Sequence, residues 1–318
     1  MTEEIFDYYR FSTEICQRLG FPRDAEETFL AVEQKIKDTP EFARAFEKQV
    51  RYFCDDDSTS LHTANEEIGL LGERFGINYL TLKFVFLMHC APYTRKRYAD
   101  NNLPDNLFWD GLADLNCKLR ECREMKGVIG TTAEGWYEGF LRLGRFTLGR
   151  FQYEPCGVHN DEPVRLTCGY TVKPGDKYVV LHIPGSGVPL TDEARSRSYE
   201  LAYDFFREWA GSDTVLLHTA TWLLYPPGFE FLPETSNIRK FMADFDIYKW
   251  EEKDDFFDAW RLFGKSSELP PAQWYEDNSL RRAYKKWITD GNKSGFGEGF
   301  VVMHKGKNVT KIKDYFKD

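Results

Sequence analysis

No apolar stretch in this chain of 318 residues is long enough for a bilayer. Its purest apolar run, residues 84–88, falls far short of the roughly 20 residues that cross one. The opening segment, MTEEIFDYYRF, lacks the basic start and the apolar core of a secretory signal, so no membrane association and a cytoplasmic location are expected. Basic residues are in deficit, with 42 Lys plus Arg against 51 Asp plus Glu, and the net charge of −9 repels phosphate backbones unless one face is locally basic. Nucleic acid is therefore not an expected partner. The seven cysteines (Cys16, Cys54, Cys90, Cys117, Cys122, Cys156 and Cys168) are scattered, with no C-x-x-C pair, which argues against a disulfide framework and a zinc ribbon. Six histidines, none at metal-ligand spacing, give no reason to expect a metal.

The excess is in aromatic residues. Phe occurs 26 times and aromatics make up 16% of the chain, which calls for a large packed core rather than a disordered, collagen-like or repeat-array structure. The first third reads as helix. Phe29, Leu30, Val32 and Ile36 recur at helical spacing within 26–36, and Ile68, Leu70, Leu71 and Phe75 do so after Ala64. Residues 78–89 are apolar almost all round, which places them inside the helical layer. Asp105 is placed to cap one further helix through Phe108, Leu112, Leu115 and Leu119, ending near Gly127 and Gly130.

After Gly130 the pattern changes to short β-rich runs at 147–153, 164–171, 178–183 and 214–224, with Lys173-Pro174-Gly175-Asp176 as a turn. Between the last two runs, 191–209 gathers Leu201, Ala202, Phe205, Phe206 and Trp209 on one helical face. Strand, Gly-rich turn, helix and strand make a βαβ unit with both strands in one sheet. Further on the pattern predicts helices at 236–243 and 272–288, and strands at 246–251, 260–263 and 296–304. An all-helical segment, 1–135, thus precedes an α+β segment, 136–318.

The most informative local sequence is Val179-Val180-Leu181-His182-Ile183-Pro184-Gly185-Ser186-Gly187-Val188-Pro189-Leu190-Thr191-Asp192-Glu193. A strand runs into a loop whose glycines let main-chain N–H groups converge, and Thr191 or Asp192 starts a helix whose positive end faces that loop. Such a place holds a pyrophosphate, or it is a plain turn punctuated by Gly and Pro. It is not a Walker motif, since no Lys-Ser/Thr follows the glycines, nor the six-residue glycine fingerprint of dinucleotide binders.

Four segments in order, Leu143-Gly-Arg-Phe-Thr-Leu-Gly-Arg-Phe-Gln-Tyr-Glu154, His182-Ile-Pro-Gly-Ser-Gly-Val-Pro-Leu190, Thr221-Trp-Leu-Leu-Tyr-Pro226 and Trp260-Arg-Leu-Phe-Gly264, resemble two-part GNAT-like acyltransferases. In that family a helical N-acyltransferase N-terminal domain precedes a GNAT-like C-terminal domain, and the resemblance spans nearly the whole chain. It implies an α+β protein: a helical domain at 1–135, then at 136–318 a mixed β-sheet flanked by helices that takes acetyl-CoA or another acyl-CoA as co-substrate and a small-molecule amine as acceptor. The usual GNAT pyrophosphate signature, Arg or Gln, two residues, Gly, any residue, Gly or Ala, is absent. The cradle is instead expected at Ile183, Gly185, Ser186, Gly187, Leu190 and Thr191.

An amine attacking a thioester must lose a proton, the oxyanion needs a fixed N–H donor, and the leaving thiolate needs a proton or a positive dipole. Period two within 147–154 puts Arg150, Gln152 and Glu154 on one face, opposite Gly149, Phe151 and Tyr153. That polar face is a solvent-facing edge, or a cleft wall where Glu154 accepts the amine proton beside Arg150 and Gln152. His182 ends the strand leading into the loop, as a base or as a satisfied core histidine. His218, at comparable depth on the next strand, flanks the same cleft or packs against the helices. Tyr248 is a candidate proton donor to the thiolate, with core packing as the alternative. Trp222, with Thr221 and Tyr225, ends the second βαβ strand, where ligands of open sheets gather. Lys305, Lys307, Lys311, Lys313 and Lys317 form a basic tail or reach the 3′-phosphate of coenzyme A. A different reading keeps the fold without the reaction, as a binding or scaffold protein with a degenerate cleft. The helical domain is left to cap the cleft, form a homodimer, or do both.

Overall fold

A computed structural model of the protein describes residues 7–157 and 162–316. The chain divides into two compact units between Phe146 and Thr147. The first consists of α1 (Tyr8–Leu19), α2 (Arg23–Asp38), α3 (Pro40–Asp55), α4 (Leu61–Phe75), α5 (Tyr79–Asp100), α6 (Asp105–Leu112), α7 (Leu115–Lys126) and α8 (Tyr137–Leu141). From Leu80 to Ala91 helix α5 is buried almost all round, as its sequence requires, and its neighbours wrap that stretch. Phe84 stacks on Phe29 of α2 with ring centres 4.4 Å apart, and Phe86 meets Phe46 of α3 edge-on at 6.3 Å. Asn78 caps α5 by accepting from the Leu80 N–H at 2.9 Å. Residues 128–131 lie across its first turn: Thr81 Oγ1 donates to the Ile129 carbonyl at 2.6 Å, and a Cβ on Gly130 would stand 2.5 Å from the Leu80 carbonyl. The single helix expected over 105–127 is two, α6 and α7. Gly111, near the end of α6, lies so close to the Phe140 ring that a Cβ there would stand 2.3 Å away, and the chain turns at Ala113 and Asp114. No helix among the described residues is long and apolar enough to cross a membrane.

From the boundary onward come β1 (Phe146–Leu148), β2 (Phe151–Cys156), β3 (Val164–Arg165), β4 (Thr171–Val172), β5 (Tyr178–His182), α9 (Asp192–Ala210), β6 (Thr214–Thr221), α10 (Gly228–Phe231), α11 (Asn237–Ala243), β7 (Asp246–Lys253), α12 (Ala259–Phe263), α13 (Ser279–Thr289), β8 (Ser294–His304) and β9 (Lys307–Asn308). The mixed sheet runs β1-β2-β5-β6-β8-β7 with β9 on β8, while β3 and β4 form a separate hairpin. The βαβ unit is β5, α9 and β6, and its two strands run parallel as expected. Three strand expectations change. The run at 147–153 breaks at Gly149, whose φ of +69° makes the turn between β1 and β2, so Arg150 stands in a turn and not on a strand face. The run at 164–171 folds back on itself as β3 and β4, and 260–263 is helical, with Phe263 packed on Trp274 at 4.4 Å between ring centres.

Alternation along the strands gives the sheet two distinct faces. One carries Phe151, Tyr153, Val179, Leu181 and Leu217 under α9, where Phe151 stacks on Tyr199 at 5.6 Å and the Tyr153 and Ser198 hydroxyls are 3.0 Å apart. On the other face Leu216, Phe300 and Val302 pack with Leu166, Cys168, Val172 and Val309 into a second core.

Candidate active site

The second face turns polar where the parallel strands part. The β5–β6 ladder has two rungs, Val179 opposite Leu217 and Val180 opposite His218. Past them β5 continues on β2, with Gln152 opposite His182, while β6 continues on β8, with Ala220 opposite Glu298. Ala220 is exposed although its strand lies inside the sheet, so the face is open at this point.

On the β2 and β5 side, Glu154 and His182 come together, with Oε2 and Nε2 3.2 Å apart. Each sits one rung diagonal from the other, Glu154 facing Val180 and His182 facing Gln152, and both side chains are partly open to solvent. A carboxylate on one ring nitrogen fixes the orientation of the ring and the tautomer it presents. Strand β2 is not the solvent-facing edge considered above, since β1 and β5 flank it. Gln152 is buried, and its Oε1 has no hydrogen-bond partner among the described residues. A buried amide oxygen in that condition costs free energy unless a donor arrives.

The loop after β5 is braced from the neighbouring turn. Arg150 donates Nε–H to the Val188 carbonyl at 2.8 Å and Nη1–H to the Pro184 carbonyl at 3.0 Å, holding both ends of the glycine segment. Gly185 and Gly187 are exposed, and Gly187 has φ +79°. Val188 N–H bonds to Ser186 Oγ at 3.3 Å, and Thr191 caps α9 by accepting from Ala194 N–H at 3.2 Å. Leu190 is buried, and its carbonyl accepts from Arg195 at 2.6 Å. Arg195, itself buried, also donates to Asp244 at 2.6 Å and to Asp192 at 2.8 Å, so the loop's far end is tied to the end of α11. The Arg195 guanidinium, together with Lys240, holds the exposed Asp192 carboxyl below its ordinary value.

A second cluster lies on β6, β7 and β8. His218 Nε2 is 3.2 Å from the Tyr248 hydroxyl, which lies 3.1 Å from Glu298 Oε2, and Lys249 Nζ is 2.9 Å from Glu298 Oε1. Burial pushes the Glu298 carboxyl up, but the bonds from Lys249 and Tyr248 and the nearby imidazole outweigh it, and the group stands below its ordinary range. Glu298 and Lys249 escaped the sequence reading. In the sequence Glu298 is only an isolated charge within Gly295-Phe-Gly-Glu-Gly299, and Lys249 carries no local signal; the glycines themselves serve close approach, since a Cβ on Gly297 would stand 2.2 Å from the Leu224 carbonyl. Trp222 joins none of these groups. It sits in an aromatic cluster of its own, with Phe256 at 5.5 Å and Tyr284 at 5.1 Å between ring centres. Among the described residues, no group of three His, Cys, Asp or Glu side chains is arranged to hold a metal ion.

Residues 11–143 match the N-acyltransferase N-terminal domain and residues 145–301 match the GNAT-like C-terminal domain. The chain belongs to the two-part N-acyltransferase family. The same architecture recurs in solved structures. An acyltransferase in complex with decanoyl-CoA and teicoplanin superposes with a TM-score of 0.71 at 20% identity, covering 92% of this chain and 87% of the other. A second, an acyltransferase in complex with CoA and 10C-teicoplanin, gives 0.62 at 17% identity, covering 92% and 99%. At that identity the likeness speaks for the fold. No curated protein matches the chain.

Proposed function

We propose that this acyltransferase moves an acyl group from acyl-CoA to a small-molecule amine by direct attack. The observation that carries the reading is a juxtaposition on one strand, β5. Its end bears His182 against Glu154, and the braced glycine loop follows at once. The acyl-CoA co-substrate brings the thioester, and its fit rests on three features. Gly185 and Gly187 are exposed and bear no side chain that would keep a diphosphate from the loop, the parted strands leave room for an extended arm, and Gln152 Oε1 awaits an N–H donor. The solved relatives bound to decanoyl-CoA and CoA support the same donor class.

In this reading Glu154 or His182 takes the amine's proton, worth about 10²–10⁴ in rate. Main-chain N–H groups near Ile183 and Gly185 meet the oxyanion, and Tyr248 returns a proton to the thiolate. Arg150 acts by shaping the loop. Acyl-CoA at millimolar concentration is expected to raise the melting temperature, and thiol release over a panel of amines is expected to exceed hydrolysis. Neither effect appearing with any acyl length would reject the proposal.

One observation favours the alternative of a binding protein with a degenerate cleft. Asp192 and Glu193 occupy the first turn of α9, where their charge opposes an incoming diphosphate. Heat stabilisation without thiol release decides for it.

A further inference from the structure

The acyl-transfer reading leaves Glu298 without a role, although the fold spends a β-bulge on it. Strand residues alternate between faces, so Tyr248 and Lys249 belong on opposite sides of the sheet. The irregularity between Ile247 and Lys249 undoes that alternation, and both side chains reach the one carboxylate. Re-aiming side chains is what bulges near active sites do. Because Tyr248 donates its hydroxyl proton to Glu298, its oxygen receives from His218, so the histidine carries a proton on Nε2. Glu298 Oε2 is also 3.8 Å from that nitrogen. His218 stands on the last rung before the strands part.

The groups around this imidazole come from every neighbouring strand. Tyr178 of β5 lies 5.3 Å away between ring centres, and Phe300 of β8 lies 4.8 Å away. Glu154 of β2 is one strand removed, across Val180, and is engaged with His182. Asp246 of β7 lies across Phe300 and is held by Thr167 and Lys311. Glu298 thus faces His218 at 3.8 Å, with Lys249 behind it on the other carboxylate oxygen.

Resting on the acyl-transfer reading, we infer that Glu298 is a positioning residue for the reaction: it orients Tyr248 and favours the imidazolium form of His218, and Lys249 tempers that effect. As the C–N bond forms and the C–S bond breaks, sulfur keeps the electron pair and takes the Tyr248 proton. The phenolate oxygen takes the Nε2 proton of His218, which is left neutral and regains a proton from water. The amine's proton leaves through Glu154 or His182, so charge balances.

Two substitutions of opposite sign test this. Glu298→Gln keeps an oxygen for Tyr248 and removes the charge; Lys249→Met leaves the carboxylate uncompensated. The basic limb of the kcat profile is expected to move down by about one pH unit in the first and upward in the second, with KM for acyl-CoA unchanged. A residue that only held the fold would be rescued by Gln and would give no opposed shifts. The same shifts are read without turnover from NMR titration of the His218 ring. If Glu298→Gln fails to fold, Lys249→Met alone carries the test, because Lys249 is exposed. Unmoved titrations, or shifts in one direction in both variants, overturn the inference. Opposed NMR shifts in a protein that releases no thiol with any amine would overturn the acyl-transfer reading and leave the electrostatic coupling standing.

Discussion

Replacing Gly187 separates the fold's need for glycine from the ligand's need for an uncharged loop. With φ +79°, any side chain at this position costs about 1 kcal/mol, and Asp and Asn pay it almost equally because both tolerate the left-handed region. They differ in charge. A carboxylate about 4 Å from a phosphate costs about 1 kcal/mol at the dielectric of water and about 4 kcal/mol at an effective dielectric near 20. The loop is exposed, which favours the lower part of that range. Gly187→Asp is therefore expected to bind coenzyme A between about fivefold and several hundredfold more weakly than Gly187→Asn. Calorimetric titration of both variants at low and moderate salt reads the difference, and thermal melting of the free proteins controls for folding. The gap should narrow with salt. Equal affinities for the Asp and Asn variants would refute the placement of the diphosphate at this loop.

Glu154→Gln and His182→Asn are each expected to lower kcat by about 10²–10⁴ while leaving coenzyme A affinity intact, as stopped-flow turnover and calorimetry would show. Asp244→Ala strips the buried Arg195 of its partner at 2.6 Å and is expected to cost about 3 kcal/mol in urea unfolding; a cost below about 1 kcal/mol would mean that Asp192 and Leu190 suffice to hold it. Glu298 has a depressed folded-state pKa, so its contribution to stability is fully present above its unfolded value, near pH 4.3, and is lost as the pH falls through the folded value. Acid unfolding of Glu298→Gln should accordingly be shallower than that of the native chain below that pH, and parallel curves would contradict the assignment.

Much of the second unit was legible because its signals are local. Leu201, Ala202, Phe205, Phe206 and Trp209 announce α9 by their spacing, and flanking β-rich runs with a glycine turn announce β5 and β6 as parallel neighbours. What stayed hidden depends on contacts distant in sequence. Nothing local says that 260–263 coils against Trp274, or that Gly149 turns β1 back upon β2. The candidate site divides the same way. Glu154 and His182 could be named from strand period and position, but their 3.2 Å approach follows from a register that only pairing sets. Glu298 was illegible because a bulge, invisible to a period-two reading, delivers Tyr248 and Lys249 to it.

Where the nucleotide lies is read most directly from a crystal structure with a bound, non-reactive acyl-CoA analogue. The diphosphate is expected against the main chain of Gly185, Ser186 and Gly187, with the arm between the parted ends of β5 and β6 and the sulfur facing the His218 and Tyr248 side of the opening. A diphosphate bound elsewhere, with the glycine loop closed by its own side chains, would contradict it.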